Sequence, residues 1–396
     1  MGERRLEDPN VEGFHVVSNI AKLFWNSSKH EFVNGTNGTD SFQGGFMVWP
    51  VAVAVQSVVD AARINKNYVG LLEEVMTTLD KYYNNNTKGY SPTQGGDEFY
   101  ADDSAQVVLC YITAYEVTQD KKYLDRAVDA TKFLMGMADK KVGGVKWKTG
   151  NNGPNTVSTA ECGMAAALLA KYVEPNDLYI QFGDYCFNFL FNKMLDKNGL
   201  MADGLEGEEA KLNPMKWTYN QGTPLTLCAH MFELTKDEKY FKAAHDLASA
   251  VTNTNQEIFD RDTNNHDVRF YRDSLKFYQL LVAGFADYLL VFGDRDHELS
   301  QKIVEIVNRH LYLVYTLMVF PSGNAEYHGT ISVFNIDEAR NEAFNKMTGE
   351  NKKCEGCADE HENGDKKKKF APSLMSMGAA ARVFFQSARI TPQVNF

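Results

Sequence analysis

Apolar positions recur along the chain with the period of an α-helix. Residues three and four positions apart form stripes of the kind that one helix face buries, and alternation typical of half-buried strands is almost absent. The pattern predicts an all-α protein. It gives twelve helical segments, at about 13–26, 46–64, 68–83, 101–118, 121–138, 158–173, 177–195, 221–235, 237–253, 273–293, 296–311 and 371–388.

One stretch of the sequence occurs twice. The residues from Tyr115 to Leu124 reappear, with similar side chains, from Phe232 to Phe241, and weaker copies begin near Tyr172 and Val291. The unit recurs about every 58 residues, a period that indicates repeated helix pairs. In each copy an Asp or Asn stands where it would cap the incoming helix. Six such hairpins stack as an open solenoid or close into a ring, and we predict the closed (α/α)6 toroid.

The sequence predicts a single domain over residues 1–396, because a helical toroid accommodates this length in one unit. The periodicity fails between Phe320 and Phe370. From Thr348 to Lys369 most residues are Lys, Glu, Asp, Asn or Gly, which offer little to bury. We therefore expect an irregular polar loop or insertion at about 320–370.

Composition and charge exclude several classes of function. The net charge of −11 repels phosphate backbones, and the basic run Lys366–Lys369 has no interleaved aromatic residues, so nucleic acid is not expected as a partner. No apolar stretch approaches the roughly 20 residues of a membrane span. Aromatic residues make up 12% of the chain, enough to line a groove where sugar rings stack.

The cysteines do not form a disulfide framework. Four of the six fall in apolar helical stretches, where a thiol behaves as a small hydrophobic group. Cys354 and Cys357, with His361 four residues on, resemble half of a zinc site, but structural zinc needs four ligands. We predict no metal there, and a local disulfide or two free thiols remain as alternatives. No glycine-rich phosphate loop and no Ser-His-Asp set stands out in the sequence. We expect no cofactor.

Two adjacent carboxylates stand at the start of the fourth predicted helix. Asp102 and Asp103 follow Phe99, Tyr100 and Ala101. From local sequence alone, a pair of helix-capping acids is as good an interpretation as a catalytic pair, since backbone N–H groups and the helix dipole favour negative charge there. Adjacent residues diverge by about 100 degrees around a helix, so one aspartate can cap while the other projects inward.

Such a pair suits the cleavage of a glycosidic bond. That reaction needs one charged and one protonated carboxyl group, roughly 5 to 5.5 Å apart for retention of configuration and 6.5 to 9.5 Å apart for inversion. Neighbouring aspartates are compatible with the shorter separation. We expect mutual repulsion to raise the pKa of one aspartate and the helix N-terminus to lower the pKa of the other.

At these residues the chain resembles glycoside hydrolase family 76, the endo-α-1,6-mannanases and related cell-wall transglycosidases, whose signature is an Asp-Asp pair opening a helix of an (α/α)6 toroid. Other segments resemble the family in the same order, over roughly residues 46 to 250. These are Gly143-Gly144-Val145-Lys146-Trp147, Asn155-Thr156-Val157-Ser158 and Thr218-Tyr219-Asn220-Gln221-Gly222, together with Trp49 and Gln56 on the second helix. The family usually has aromatic residues just after the pair, where this chain has Gln106 and Val107, and commonly an Asn at the position of Thr159.

The resemblance implies a retaining, endo-acting α-1,6-mannosidase without a cofactor, with Asp102 as nucleophile and Asp103 as general acid/base. Its substrate would be an α-mannan polysaccharide or oligosaccharide, and we expect a monomer, secreted or at the cell surface, although the charged start Met1–Arg5 is not a signal peptide. The candidate substrate-binding residues are Trp49, Gln56, Tyr100, Trp147, Asn155, Trp217, Tyr219, Asn220 and Gln221.

Several of these residues have an ordinary structural interpretation as well. Trp147 and Trp217 stack on sugars or simply pack, and Asn155 and Asn220 bind hydroxyl groups or cap helices. Glu161 is a polar residue on an otherwise apolar helix face, and the sequence leaves open whether its side chain faces the groove. Two other functions remain open: another (α/α)6 enzyme, such as an unsaturated uronyl hydrolase or sugar epimerase, and a non-catalytic carbohydrate-binding protein.

Overall fold

The structure is a computed structural model that describes residues 6, 8–33, 41–42, 45–150, 153–207, 209–320, 324–329, 333–355 and 371–391. Within these ranges the chain forms thirteen α-helices. They are α1 (Pro9–Phe24), α2 (Val48–Ile64), α3 (Val69–Met76), α4 (Ala101–Thr118), α5 (Lys121–Gly136), α6 (Thr156–Leu169), α7 (Asp177–Phe189), α8 (Tyr219–Thr235), α9 (Glu238–Val251), α10 (Leu275–Phe292), α11 (His297–Leu317), α12 (Glu338–Thr348) and α13 (Leu374–Ile390).

Three short antiparallel hairpins accompany the helices. They pair β1 (Trp25–Asn26) with β2 (Glu31–Phe32), β3 (Ser41–Phe42) with β4 (Gly45–Phe46), and β5 (Gly204–Glu206) with β6 (Lys211–Asn213). None of these hairpins joins another into a larger sheet among the described residues. The chain is therefore all-α, as the sequence predicts.

Six helices form a closed inner ring. Each of α2, α4, α6, α8 and α10 packs against the next, α10 packs against α13, and α13 returns to α2. Outside this ring, α3, α5, α7, α9 and α11 each contact inner helices, and α1 covers α13 and α2. The architecture is an (α/α)6 toroid, so the ring interpretation of the repeat is confirmed and the open solenoid is wrong.

The position of each helix follows from its sequence. All fourteen residues of α6 are buried, because an inner helix is enclosed on every side and needs apolar or small side chains all round. The outer helix α9 buries only one stripe, whose members are three, four or seven positions apart. That stripe is Tyr240, Ala244, Leu247, Ala248 and Val251.

Two glycines allow the closest approach between inner helices. A Cβ atom added at Gly222 on α8 would overlap the backbone of Leu280 on α10, and one added at Gly284 on α10 would overlap the backbone of Gly222. The two backbones therefore touch with no side chain between them. This contact sets the width of the ring on one side.

A buried polar cluster lies where the last inner helix closes the ring. Arg382 on α13 donates hydrogen bonds to Asp60 on α2, at 3.3 Å, and to Gln279 on α10. Gln386, also on α13, donates to the same Asp60 carboxylate at 3.0 Å. The cluster links both neighbours of α13 through charge-assisted hydrogen bonds, so it favours one register of closure.

The internal repeat has the same geometry in its two strong copies. Gln119 and Lys236 end their helices in the left-handed conformation, with φ of 58° and 59°. Asp120 and Asp237 then cap the following helices, each accepting a hydrogen bond of 3.0 Å from the backbone two residues on. In the weaker copy Asn176 makes no such bond, so the predicted cap is wrong there. Its amide donates instead to the Ala170 carbonyl.

Two features differ from the sequence prediction. The helix α12 lies inside the segment expected to be irregular; it buries only Arg340, Asn341, Phe344 and Thr348, which form no apolar stripe. The segment Leu275–Arg295 has the length and composition of a membrane span, contrary to our expectation, and is the only such helix in the described ranges. In the structure it contains the inner-ring helix α10. Cys357 and His361 lie outside the described residues.

Candidate active site

A cavity of about 1120 Å³ opens at one end of the ring. Residues near the starts of the inner helices α2, α4, α6, α8 and α10 reach it. Its rim is formed by residues of the loop at 91–98, by Trp147 and Gly153, and by the segment 203–207 that contains β5. Helix N-termini carry partial positive charge, which stabilises acidic groups at such a position. The candidate catalytic residues lie here.

Asp102 and Asp103 are the second and third residues of α4, and both line the cavity. The N-cap residue is Tyr100, whose side chain makes no capping hydrogen bond. Asp102 Oδ1 accepts a 3.0 Å hydrogen bond from the backbone N–H of Asp103, and its Oδ2 accepts a 3.1 Å bond from Nε1 of Trp147. Asp102 thus accepts a hydrogen bond from one of the free backbone N–H groups at the start of α4. Asp103 faces the cavity, and in the described chain no backbone N–H donates to its carboxylate.

Burial separates the two aspartates in their acidity. It raises the pKa of Asp102 to about 6, against the lowering effect of the backbone N–H of Asp103 and the indole of Trp147. Burial, and then the negative charge of Asp102, raise the pKa of Asp103 well above its usual value. The expectation that the helix N-terminus holds one pKa below its ordinary value is therefore wrong, because burial outweighs it. Asp102 is therefore the stronger acid of the pair, and Asp103 keeps its proton to higher pH.

A third carboxylate, missed in the sequence, faces the same space. Asp203 lines the cavity and accepts a 2.9 Å hydrogen bond from Nδ2 of Asn220, while burial raises its pKa. Its backbone bonds to Asn213 on β6 and to Thr156 at the start of α6. In the local sequence Asp203 stands out only as part of an Asp-Gly pair, which is typical of a turn and does not indicate a site residue.

Aromatic rings form one wall of the cavity. Phe277 on α10 stacks on Tyr219, with centroids 4.5 Å apart, and on Trp49 at 5.9 Å. All three line the cavity. Trp217 packs against Phe277 but does not itself line the cavity. Phe277 was not predicted, because a Phe near the start of an apolar helix gives no sign of exposure to a groove. Stacked rings of this kind suit the apolar face of a sugar.

A second aromatic pair stands beside Asp102. Trp147 and Tyr100 contact edge to face at 5.1 Å, and both line the cavity. Trp147 is 40% exposed, which is high for a tryptophan, so its ring remains available to a ligand. Lys148 lies over the Tyr100 ring at the rim.

The structure brings seven of the eleven predicted site residues to the cavity. Asn155 combines both expected roles: it lines the cavity and caps α6 through a 3.0 Å bond from the Ser158 N–H. Gln56 does not reach the cavity, because its amide bonds to Thr113 between α2 and α4. The seven are Trp49, Tyr100, Asp102, Asp103, Trp147, Asn155 and Tyr219.

Three others support the site from behind. Gln221 is fully buried and exchanges two hydrogen bonds with the backbone of Met201, at 2.8 and 3.0 Å. Asn220 is likewise buried and holds the Asp203 carboxylate. Trp217 lies behind Phe277, with ring centroids 5.3 Å apart, and its carbonyl accepts a 3.0 Å hydrogen bond from Nε2 of Gln221. Their side chains are engaged with protein atoms, so they position the lining instead of forming it.

The lining is strongly acidic. Seven of its residues carry carboxyl groups, and within the described chain no Lys, Arg or His belongs to it. Burial raises the pKa of Asp103 and Glu161 well above the usual value, and Glu98 pairs with Lys148 at 3.0 Å, so only part of this set carries net negative charge. The carboxylates that stay ionised favour neutral or cationic ligands over anionic ones. The seven are Asp97, Glu98, Asp102, Asp103, Glu161, Asp203 and Glu206.

Comparison with known proteins places this architecture. The chain is 26% identical to the meiotically up-regulated gene 191 protein of Schizosaccharomyces pombe, over 97% of its own length and 93% of that protein. It is 29% identical to the mannan endo-1,6-alpha-mannosidase DCW1 of Saccharomyces cerevisiae, over 35% of this chain and 32% of that one.

Solved structures share the fold at low sequence identity. The mannosidase Bt3792 of Bacteroides thetaiotaomicron superposes with a TM-score of 0.73 at 15% identity, covering 96% of this chain and 98% of that one. The α-1,6-mannanase GH76A of Salegentibacter, as an inactive variant in complex with α-1,6-mannotriose, gives 0.70 at 14% identity, covering 97% and 100%. The sequence profile of Glycosyl hydrolase family 76 matches residues 15–305. This chain, an (α/α)6 toroid with an aspartate pair at the mouth of its ring, belongs to glycosyl hydrolase family 76.

Proposed function

We propose that this protein is a retaining glycosidase that cleaves α-1,6-mannosidic bonds within mannan chains. The observation that carries the proposal is the aspartate pair. Asp102 and Asp103 lie side by side in one open cavity, and the pKa of Asp103 is raised further than that of Asp102, so that Asp102 ionises while Asp103 still holds its proton. Glycosidases need this combination of charge states.

The relatives support the substrate. The yeast DCW1 protein is named a mannan endo-1,6-alpha-mannosidase. The Salegentibacter enzyme is described as an α-1,6-mannanase, and its inactive form replaces two consecutive aspartates by asparagine. An aspartate pair at the mouth of the same fold agrees with these descriptions.

In the proposed reaction Asp102 is the nucleophile. Its carboxylate forms a bond to the anomeric carbon while the glycosidic C–O bond breaks, and the departing oxygen takes the proton of Asp103. The ionised Asp103 then removes a proton from water, which displaces Asp102 and regenerates both carboxyl groups. The hydrogen bond from Trp147 Nε1 holds one Asp102 oxygen, so the other points in a fixed direction.

Binding of a chain substrate would use the aromatic wall. Trp49, Tyr219 and Phe277 offer apolar aromatic surface to neutral sugars, and Asn155 and Asp203 offer hydrogen-bonding groups to hydroxyls. Two separate aromatic groups in the lining, one of Trp49, Tyr219 and Phe277 and the other of Tyr100 and Trp147, suit attack within a chain, because several sugar units contribute binding energy at once.

The acidic lining separates this proposal from its competitor among (α/α)6 enzymes. An unsaturated uronyl hydrolase binds an anionic sugar, and the ionised carboxylates of the lining, which has no cation among its described residues, would repel it. Neutral mannan carries no such penalty.

The test is cleavage of linear α-1,6-mannan oligosaccharides by the wild type and by Asp102→Asn and Asp103→Asn. We expect both variants to lose at least about a thousandfold in kcat/KM, because each removes a group that acts in the transition state. Asp125→Asn, on the exposed face of α5, is the matched control. Proton NMR of the first product should show retained α configuration.

Three results would contradict the proposal. Full activity in either variant would exclude the aspartate pair as the catalytic residues. Turnover of unsaturated uronides without turnover of mannan would favour the competing enzyme. Calorimetric binding of mannan oligosaccharides with no product from the wild type would indicate a carbohydrate-binding protein.

A further inference from the structure

Beneath the aspartate pair, two buried polar side chains from neighbouring helices face each other. Gln106 lies on α4, three and four residues beyond the pair and therefore on the same helix face, one turn deeper. Its Nε2 donates a hydrogen bond to Oε1 of Glu161 on α6. Glu161 lines the bottom of the cavity but is 0% exposed. The proposed reaction does not use either residue.

No cation of the described chain is paired with Glu161. Its second oxygen, Oε2, is buried and has no hydrogen-bond partner within the described chain. Arg382, the cation from the ring-closing helix, is engaged with Asp60 and Gln279. A carboxylate that is ionised in such surroundings costs several kcal/mol, so a group held there takes up a proton instead.

We propose that Glu161 is a positioning residue: Gln106 fixes it beneath the aspartate pair as a protonated, uncharged carboxyl, so that a single negative charge is left to Asp102 and Asp103. The hydrogen bond assigns its two oxygens. Oε1 accepts from the Gln106 amide and is the carbonyl oxygen, while Oε2 carries the proton.

The surrounding charges agree with this assignment. Groups from three helices interact with Glu161: Asp102 and Asp103 from α4, Tyr219 from α8, and Arg382 from α13. Burial, and then the charge of Asp102, raise the pKa of Glu161 well above its usual value; the charge of Asp103 adds to this rise, and Gln106 and Arg382 oppose it. Burial also raises the pKa of Tyr219, which stays uncharged.

The consequence concerns the charge that moves during catalysis, and it rests on the proposed function. When Asp102 bonds to the sugar and Asp103 gives up its proton, one negative charge passes from the first aspartate to the second. A neutral Glu161 lies under both positions and opposes neither. An ionised Glu161 would add a second negative charge and raise the pKa of the pair.

The activity test exchanges the two groups across the helix interface. Gln106→Glu places two carboxyls in contact, and we expect the extra charge to move the acidic limb of the kcat/KM pH profile up by about one unit. Glu161→Gln stays neutral and should leave that limb within about 0.3 units of the wild type. The double variant Gln106→Glu/Glu161→Gln restores one acid facing one amide, and its limb should return to the wild-type pH.

Two results in this series would overturn the proposal. One is a downward shift of about one unit in Glu161→Gln, which would mean that the native glutamate is charged. The other is a double variant that keeps the shift of Gln106→Glu. A third result would also refute it: if Gln106→Glu lowers the melting temperature but leaves the limb at the wild-type pH, the contact between the two residues is only structural.

An infrared measurement tests the charge state without substrate. In an Asp103→Asn background, the difference between spectra with and without Glu161→Gln at pH 7 should contain the C=O stretch of a protonated carboxyl. A carboxylate band in its place would refute the proposal, including in the case that Gln106→Glu does not fold. If the protonated band is present but the wild type cleaves no mannan, the proposed function fails and the assignment of Glu161 stands.

Discussion

At the scale of single residues, the site depends on how burial and hydrogen bonds divide protons among neighbouring carboxyls. Asp102 keeps its pKa near 6 because two donors, the Asp103 N–H and the Trp147 indole, stabilise its charged form. Asp103 faces the cavity without comparable help, so it holds its proton longer. The order in which the two aspartates ionise therefore depends on the hydrogen-bond donors around them as much as on their burial and mutual repulsion.

This leads to a prediction for Trp147→Phe. The substitution keeps an aromatic ring beside Tyr100 but removes the donor to Asp102 Oδ2, so the pKa of Asp102 should rise above 6. In the proposed reaction Asp102 acts as the anion, so activity should be lost as pH falls through its pKa. The acidic limb of kcat/KM should therefore move up by about 0.5 to 1 unit. Trp217→Phe is the control, since Trp217 has no contact with Asp102, and an unchanged limb in Trp147→Phe would contradict the role of the indole.

Residue-scale features differ in how far the sequence predicts them. The pair Asp102-Asp103 was identified because adjacent acids at a helix start are conspicuous. Asp203 and Phe277 were missed, since each reaches the cavity only through tertiary contacts that no local pattern records. Gln56 and Gln221 were expected to bind substrate but bond to protein atoms, because a buried amide must find partners wherever the helices meet.

At the scale of elements, the repeated turn is the clearest link between sequence and structure. The same residues give the same left-handed helix end and the same aspartate cap at Asp120 and Asp237. The helix starts of α4 and α5 agree with their predicted positions to the residue. The short helix α12 was missed, because a polar helix with few buried residues has no periodic signal.

We predict that Asp120→Ala and Asp237→Ala each lower the free energy of unfolding by about 1 kcal/mol, because each leaves a helix start without its cap. The two caps lie on different hairpins, so the losses should add in the double variant. Chemical denaturation would measure this. Asp125→Ala, an exposed substitution inside α5, is the control and should be nearly neutral or slightly stabilising. Equal losses in the control would show that the caps contribute nothing specific.

At the scale of the whole molecule, ring closure is the property on which the site depends, because the cavity lies where several inner helices begin. The sequence predicted the ring from a repeat of six, but not its width. That width depends on backbone contacts such as the one between Gly222 and Gly284, which no periodicity reveals. The polar cluster around Asp60 could not be predicted either, since Asp60 and Arg382 are more than 300 residues apart in the sequence.

Gly222→Ala should therefore destabilise the fold by several kcal/mol or prevent it, because the added methyl group overlaps the backbone of α10. Gly70→Ala, in α3, is the matched control: nothing lies within 4 Å of the added Cβ, and helix propensity should stabilise that variant by about 0.5 to 1 kcal/mol. Thermal unfolding of both variants, followed by circular dichroism, measures the difference. A Gly222→Ala protein as stable as the wild type would show that α8 and α10 are not in close contact.

Closure of the ring by α13 also has a consequence for synthesis on the ribosome. Until this helix emerges, α2 and α10 lack the neighbour that covers them, although both carry apolar residues on nearly every side. The growing chain therefore exposes apolar surface from the emergence of α2 until that of α13. Contacts between segments that are distant in the sequence form late and slowly. Cells that make this protein must shield the incomplete ring, so we expect its yield to depend on chaperone capacity more than its final stability would suggest.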